Sequence, residues 1–140
     1  MADPLPICHL NGEWPALREA RISPLDRSFL FGDGVYEVVP VFEGRPFRFA
    51  EHFDRLSRSL AALHIRDPHS RDAWRALVHE LMQRNGGGDM YVYVQVSRGA
   101  EYGRNHAPFP DVAPTVFAFC APLPKPSAAQ LAQGLQCVTA

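Results

Sequence analysis

The sequence contains almost no lysine: 13 of its 14 basic residues are arginine, and Lys125 is its one lysine. Cysteine is also scarce, because Cys8, Cys120 and Cys137 are far apart and form no Cys-x-x-Cys pair. This spacing excludes a disulfide framework or a zinc site and indicates free thiols in a reducing compartment. No apolar run approaches the ~20 residues of a membrane span. A formal net charge of −1 gives no electrostatic reason to invoke nucleic acid or a membrane as partner. We therefore expect a cytoplasmic protein without a metal.

The residues that are present suit a globular domain. At 140 residues, with 46% hydrophobic and 21% charged side chains, the chain can bury a sizeable core. Hydrophobic periodicity and turn signals predict its elements. They are strands at 5–10, 14–22, 90–97, 115–121 and 135–139, a helix capped by Ser70 with an apolar stripe from Trp74 to Met82, a long polar loop at 98–114, an extended linker at 122–126, and a short helix from Ser127 to Gln133.

The stretch from Asp26 to Leu63 carries the strongest pattern. Gly32-Asp33-Gly34 predicts a flexible turn, and from Val35 onward successive side chains alternate between the two faces of a strand. A turn at Gly44 then leads to a short strand, Pro46 to Phe49. The alternation places Val35, Glu37, Val39 and Val41 on one face and Tyr36, Val38, Pro40 and Phe42 on the other.

The helix after this hairpin has two sets of residues at helical spacing. Phe53, Leu56, Leu60 and Leu63 form an apolar stripe for a core. His52, Arg55 and Ser59 share that spacing and follow one edge of the stripe. An arginine and a histidine at the margin of a buried face are well placed to meet an anion. The alternative is that Arg55 simply pairs with a nearby carboxylate.

Two linked motifs extend these observations. They are Asp-Arg-x-Phe-x-Phe-Gly-Asp-Gly-Val-Tyr-Glu (26–37) and Glu-His-x-x-Arg-Leu (51–56). The chain thereby resembles the fold-type IV, class IV pyridoxal-phosphate aminotransferases, a family that includes D-amino-acid and branched-chain aminotransferases and aminodeoxychorismate lyase. The resemblance implies a two-domain homodimer with pyridoxal 5'-phosphate between the domains. Residues 1–121 then form an N-terminal domain, 122–126 a linker, and 127–140 the start of a truncated second domain.

The same resemblance implies roles for particular residues. Arg55 matches the arginine that binds the cofactor phosphate. Arg104 and His106 resemble the Arg-x-His signature with which D-amino-acid aminotransferases hold the substrate carboxylate, on a loop that reaches the partner subunit's active site. The substrate-binding residues implied are therefore Tyr36, Val38, Pro40, His52, Arg104 and His106. No catalytic residue is expected in this chain, because the Schiff-base lysine is expected beyond Ala140.

The expected fold class is α+β, a mainly antiparallel sheet with two helices packed on one side. The expected activity is amino-group transfer between a D-amino acid, such as D-alanine, and a 2-oxo acid, with the 140 residues alone inactive. Two alternatives remain: branched-chain transamination or aminodeoxychorismate cleavage on the same scaffold, and a non-catalytic domain that dimerises or binds. We also expect Arg55 and the face with Tyr36, Val38 and Pro40 to border one common open surface.

Overall fold

The structure, a computed structural model, describes residues 3–108 and 111–138. Its strands form one antiparallel sheet of five, in the order β1-β5-β4-β2-β3. The predicted α+β fold is confirmed. In chain order the elements are β1 (Cys8–Leu10), α1 (Arg27–Phe31), β2 (Gly34–Phe42), β3 (Arg45–Pro46), α2 (Phe49–Ala62), α3 (Arg71–Arg84), β4 (Met90–Ser97), β5 (Thr115–Pro122) and α4 (Ala128–Gln133).

One face of the sheet is packed against helices, as predicted. The alternation of β2 is as expected, because Glu37, Val39 and Val41 are buried while Tyr36 and Phe42 are exposed. The core joins the inward side chains of the three long strands to the stripes of two helices. From α2 it takes Phe49, Phe53, Leu56 and Leu60, and from α3 it takes Trp74, Leu77, Val78, Leu81 and Met82. Leu63, predicted for the stripe, lies past the end of α2 and is 38% exposed.

The opposite face of the sheet carries a ladder of aromatic rings. Tyr36 of β2 stacks on Tyr93 of β4, with ring centroids 5.6 Å apart, and Tyr93 lies 5.1 Å from Phe119 of β5. On this face Tyr93 is only half-buried, so the prediction that β4 is buried on both faces is wrong. Its central position in the sheet is confirmed.

Three local predictions need correction. The return strand at 14–22 is absent from the described residues, which contain only isolated bridges there, Ile7 to Ala16 and Leu10 to Glu13. The short strand predicted for 46–49 is Arg45–Pro46, because Arg48 takes a left-handed conformation, with φ of 49°, and the helix begins at Phe49. The final strand predicted for 135–139 is not formed over residues 135–138, and residue 139 lies outside the described residues.

Candidate active site

A short helix that the sequence pattern did not predict anchors one end of the sheet. Asp26 caps α1, and its buried carboxylate accepts hydrogen bonds from the backbone N–H and hydroxyl of Ser28. It also accepts from the hydroxyls of Ser97, at 3.0 Å, and Thr115, at 2.7 Å. Burial alone would raise the pKa of Asp26, but the hydrogen bonds from Thr115, Ser28 and Ser97 outweigh burial and lower that pKa. The cap therefore fixes α1 to the ends of β4 and β5.

The next residue, Arg27, is a buried arginine, with 4% of its surface exposed. Its Nε donates to Asp33 at 2.8 Å, and its Nη1 lies 3.4 Å from a carboxylate oxygen of Glu101. The same Nη1 donates to the backbone carbonyl of Asn105 at 2.7 Å, and Nη2 donates to the carbonyl of His106 at 3.0 Å. One guanidinium group thus joins α1 to the loop between β4 and β5.

Asp33 connects this loop to the C-terminal end of α2. It accepts two hydrogen bonds from Arg98, at 2.7 and 3.1 Å, besides the bond from Arg27. Arg98 also donates to the carbonyls of Leu63 and His64. Burial would raise the pKa of Asp33, but hydrogen bonds and charge from Arg98 and Arg27 lower it overall. These contacts make Arg98 a structural residue that ties the end of β4 to the end of α2.

The structure brings Arg104 and His106 together around one ring. The guanidinium carbon of Arg104 lies 4.8 Å from the centroid of the Phe31 ring, and the ring of His106 lies 5.7 Å from it. Arg27 approaches the same ring at 4.5 Å. Both Arg104 and His106 are exposed, so their polar atoms are open to a ligand.

Arg55 pairs with a carboxylate on the helix side of the sheet. Its Nε and Nη2 each lie 2.5 Å from one oxygen of Glu37, which is buried to 3% exposure. His52 Nδ1 lies 2.9 Å from the same carboxylate. Burial would raise the pKa of Glu37, but hydrogen bonds from Arg55 and His52 lower it. Glu37 in turn raises the pKa of Arg55.

This arrangement contradicts the expected common surface. Glu37 and Tyr36 are successive residues of β2 and point to opposite faces, so the Arg55 side chain lies on the other side of the sheet from Tyr36. The reason is electrostatic, because a buried carboxylate needs a cation and Arg55 is within reach across the hairpin. The Arg55 side chain is nevertheless 59% exposed. Its Nη1 donates to none of the residues that the structure describes.

The remaining expected residues lie on β2 and beside Arg55. Tyr36 is 64% exposed and Val38 is 37% exposed on the aromatic face, and Pro40 is half-buried there. Their face was predicted correctly. Over Gly34 to Val39, β2 pairs with β4 alone among the described residues, so the other edge of the strand carries no partner strand. Tyr36 and Arg55 therefore flank this edge from opposite faces.

The sequence reasoning missed Arg27, Phe31 and Glu101. Arg27 and Phe31 lie inside the first motif, 26–37, but no ligand-binding or supporting role was expected of them. The sequence does contain a signal for these two residues. Arg27 directly follows Asp26, a residue type that caps helices, and precedes Phe31 by four residues, so in a helix the two side chains lie on the same face. Its partners in the distant loop could not be read from spacing.

Two solved structures that share this fold are branched-chain amino acid aminotransferases. The branched-chain amino acid aminotransferase from Escherichia coli superposes with a TM-score of 0.79 at 19% identity, over 85% of this chain and 41% of that one. The T.th. branched-chain amino acid aminotransferase with pyridoxamine 5'-phosphate also gives 0.79, at 22% identity, over 89% of this chain and 42% of that one. At such identities the likeness establishes the fold.

The family follows from the sequence comparison. The model of the family Amino-transferase class IV matches residues 34–140. The chain belongs to this family. It is 42% identical to the D-alanine aminotransferase of Listeria monocytogenes serotype 4b over 105 residues, which cover 75% of this chain and 36% of that protein. It is 34% identical to the D-alanine aminotransferase of Staphylococcus epidermidis RP62A over 131 residues, covering 93% and 46%. The chain thus spans less than half the length of these relatives.

Among residues 3–108 and 111–138, no helix is long and apolar enough to cross a membrane. Within the same residues, no group of three or more His, Cys, Asp or Glu side chains is arranged to hold a metal ion.

Proposed function

We propose that the complete gene product transfers an amino group between a D-amino acid resembling D-alanine and a 2-oxo acid, using pyridoxal 5'-phosphate, as a cytoplasmic homodimer. The observation that carries the substrate class is the pairing of Arg104 and His106 on the Phe31 ring, 4.8 and 5.7 Å from its centroid. Two adjacent, exposed groups that can both carry positive charge suit one carboxylate. The D-alanine aminotransferases of Listeria and Staphylococcus support the same choice.

The residues of the chain fit the anionic parts of such a site. Arg55 has an exposed guanidinium with Nη1 available, and a planar set of donors suits phosphate oxygens. In this proposal Arg55 holds the cofactor phosphate while Glu37 and His52 orient its side chain. A phosphate bound beside the unpaired edge of β2 can contact Arg55 from the helix side of the sheet.

The substrate carboxylate would lie against the aromatic face. There the exposed phenol of Tyr36 can donate a hydrogen bond, and Val38 and Pro40 present apolar surface to a small side chain. Arg104 and His106 would supply the charge, from the partner subunit if the homodimer forms as the family resemblance implies. His52 acts on the site indirectly, by holding the Glu37 carboxylate that orients Arg55. Its Nδ1 lies 2.9 Å from that carboxylate.

Pyridoxal phosphate, when bound, carries the amino group between the two substrates. It needs a lysine, and this chain offers only Lys125, in the exposed segment between β5 and α4. We therefore assign the lysine to residues beyond Ala140. We also keep 1–121 as a domain, 122–126 as a linker and 127–140 as the start of a second domain. The helix α4 buries none of its residues, which is compatible with that division.

A second candidate is branched-chain transamination. Val38, 37% exposed, and half-buried Pro40 favour it, because this part of the aromatic face is apolar and suits a larger aliphatic side chain.

The test compares D-alanine with L-leucine in the complete gene product. Arg104→Ala removes a charge-assisted contact worth about 1.5–3 kcal/mol, so we expect kcat/KM for D-alanine to fall roughly tenfold to a hundredfold. The matched control is Arg98→Lys, since Arg98 bonds Asp33 and two carbonyls at the end of α2 and should affect stability more than discrimination. If Arg104→Ala leaves D-alanine kinetics unchanged and L-leucine is the better native substrate, the branched-chain candidate replaces the proposal.

A further inference from the structure

The backbone of the Arg104-Asn105-His106 tripeptide is held by one buried side chain. The carbonyl oxygens of Asn105 and His106 accept hydrogen bonds from Nη1 and Nη2 of Arg27, at 2.7 and 3.0 Å. These are the two residues that directly follow Arg104. A loop of this length has many conformations open to it, and hydrogen bonds to consecutive carbonyls remove most of them.

Arg27 is itself fixed from several sides. Its Nε is bound to Asp33, which also accepts two bonds from Arg98. Its backbone N–H donates to the carbonyl of Gly99 at 2.9 Å, at the start of the loop. Gly99 has a φ of 106°, and a Cβ there would collide with the carbonyl oxygen of Ala113. The two ends of the loop are therefore packed closely together beside α1.

Phe31 completes the support. It lies four residues after Arg27, one turn along α1, and both the Arg27 and Arg104 guanidinium carbons are close to its ring centroid, at 4.5 and 4.8 Å. The ring of His106 is tilted against it at 5.7 Å. Aromatic rings attract such cations, which offsets the repulsion between the two neighbouring guanidinium groups.

We propose that Arg27 is a positioning residue that holds Arg104 and His106 ready for the substrate carboxylate without touching the substrate. This inference rests on the proposed function and deepens it, because it makes carboxylate affinity depend on a buried residue that does not itself contact the ligand. A preformed trap avoids the cost of ordering the loop when the ligand binds. Removing the two carbonyl contacts should therefore weaken carboxylate binding while leaving the contacts of the cofactor phosphate unchanged.

The experiment uses the complete gene product loaded with cofactor and the probe D-lactate, which has the carboxylate and methyl group of D-alanine but no amino group. Arg27→Lys keeps a positive charge beside Asp33 and Glu101. The single ammonium group cannot also donate hydrogen bonds to the carbonyls of both Asn105 and His106. We expect the Kd for D-lactate, measured by calorimetry, to rise about tenfold, with the KM for D-alanine rising similarly and kcat changing less than about threefold. Hydrogen exchange at residues 103–108 should become faster.

A double variant separates positioning from a general loss of structure. If Arg27 acts through Arg104, then Arg27→Lys combined with Arg104→Ala should bind D-lactate no more weakly than Arg104→Ala alone. The control is Arg98→Lys, which loosens the same Asp33 but leaves the carbonyls of Asn105 and His106 bound. Its Kd for D-lactate should change less than about threefold. Should Arg27→Lys fold poorly, Phe31→Leu tests the same idea, because it removes the supporting ring and keeps the arginine.

The outcomes distinguish the two proposals. An unchanged Kd in both Arg27→Lys and Phe31→Leu, with native turnover of D-alanine, overturns the positioning role and leaves the proposed function standing. Fully additive losses in the double variant overturn it as well. A native protein that neither binds D-lactate nor uses D-alanine overturns the proposed function and this inference with it.

Discussion

Glu37 gives the sharpest test of how this domain is held together, because it is a buried carboxylate that accepts hydrogen bonds from both Arg55 and His52. It is 3% exposed and lies 2.5 Å from two nitrogens of Arg55 and 2.9 Å from His52. Glu37→Gln preserves its shape and removes its charge. The amide oxygen can still accept a hydrogen bond, from Arg55 or from His52, but the amide nitrogen accepts none.

The expected loss is moderate. Charge-assisted hydrogen bonds contribute about 1.5–3 kcal/mol when both partners are desolvated. The Arg55 side chain is 59% exposed, however, so water weakens its share of the interaction. We therefore expect Glu37→Gln to lower the free energy of unfolding by about 1–2 kcal/mol at pH 7. Glu37→Ala should cost more, since it also leaves a cavity.

The difference in unfolding free energy between the native protein and Glu37→Gln should become smaller as pH falls. The pKa of Glu37 in the folded protein lies below its ordinary value, chiefly because hydrogen bonds from Arg55 and His52 overcome the effect of burial. Its stabilisation is therefore present above the unfolded pKa of about 4.3 and is lost as pH falls through the folded pKa. Urea titrations followed by tryptophan fluorescence at pH 7 and pH 3 measure this. If Glu37→Gln is as stable as the native protein at pH 7, the ion pair does not stabilise the fold and the reasoning is wrong.

Three shorter predictions concern other groups. Arg55→Gln should weaken equilibrium binding of pyridoxal phosphate roughly tenfold to a hundredfold, because a charge-assisted contact is lost. Unchanged binding in equilibrium dialysis would mean that Arg55 only neutralises Glu37. Burial, with a smaller contribution from His69, lowers the pKa of His9 to about 4, so the unfolded chain, with a pKa near 6.5, takes up the proton first as pH falls. Stability should drop by roughly 2–4 kcal/mol between pH 6.5 and 4, and a His9→Asn variant that shows the same slope in urea titrations would contradict this. The isolated 140 residues, mixed with pyridoxal phosphate and reduced with borohydride, should show no stoichiometric labelling of Lys125 by mass spectrometry, because its side chain is exposed to water instead of being enclosed against the cofactor ring.

The parts of the fold that obey a strict period could be predicted from the sequence. The alternation in β2, the stripe of α3 and all of the α2 stripe except Leu63 were correct, because burial on one face dictates which positions must be apolar. The strand after Asn11-Gly12 was wrong. That turn does form, with φ of 50° and 92°, but the chain beyond it makes single bridges and then turns, with the N–H groups of Glu19 and Ala20 both donating to Ala16.

The site was harder to predict, since its decisive contacts join residues far apart in the chain. Arg27 donates to carbonyls 78 and 79 residues away, and no local pattern encodes such a distance. The contact of Glu37 with Arg55 and His52 was easier to predict from the sequence. A glutamate on the same strand face as three valines must find a cation when that face is buried, and Arg55 and His52 already stood across the hairpin.

Arg27 and Arg55, the arginines of the two linked motifs, differ in burial and in how many of their donors are already used. This difference distinguishes a residue that holds the loop from one that can bind a ligand. Arg27 is 4% exposed, and all three of its guanidinium nitrogens donate within the protein, two of them to backbone carbonyls. It cannot turn to a ligand without leaving those carbonyls unsatisfied, which is costly in a buried site. Arg55 is mostly exposed, is held by one carboxylate and keeps Nη1 available, so it can meet an anion while remaining bound to Glu37. Burial and donor use together thus assign Arg27 to holding the loop and leave Arg55 as the residue suited to a phosphate.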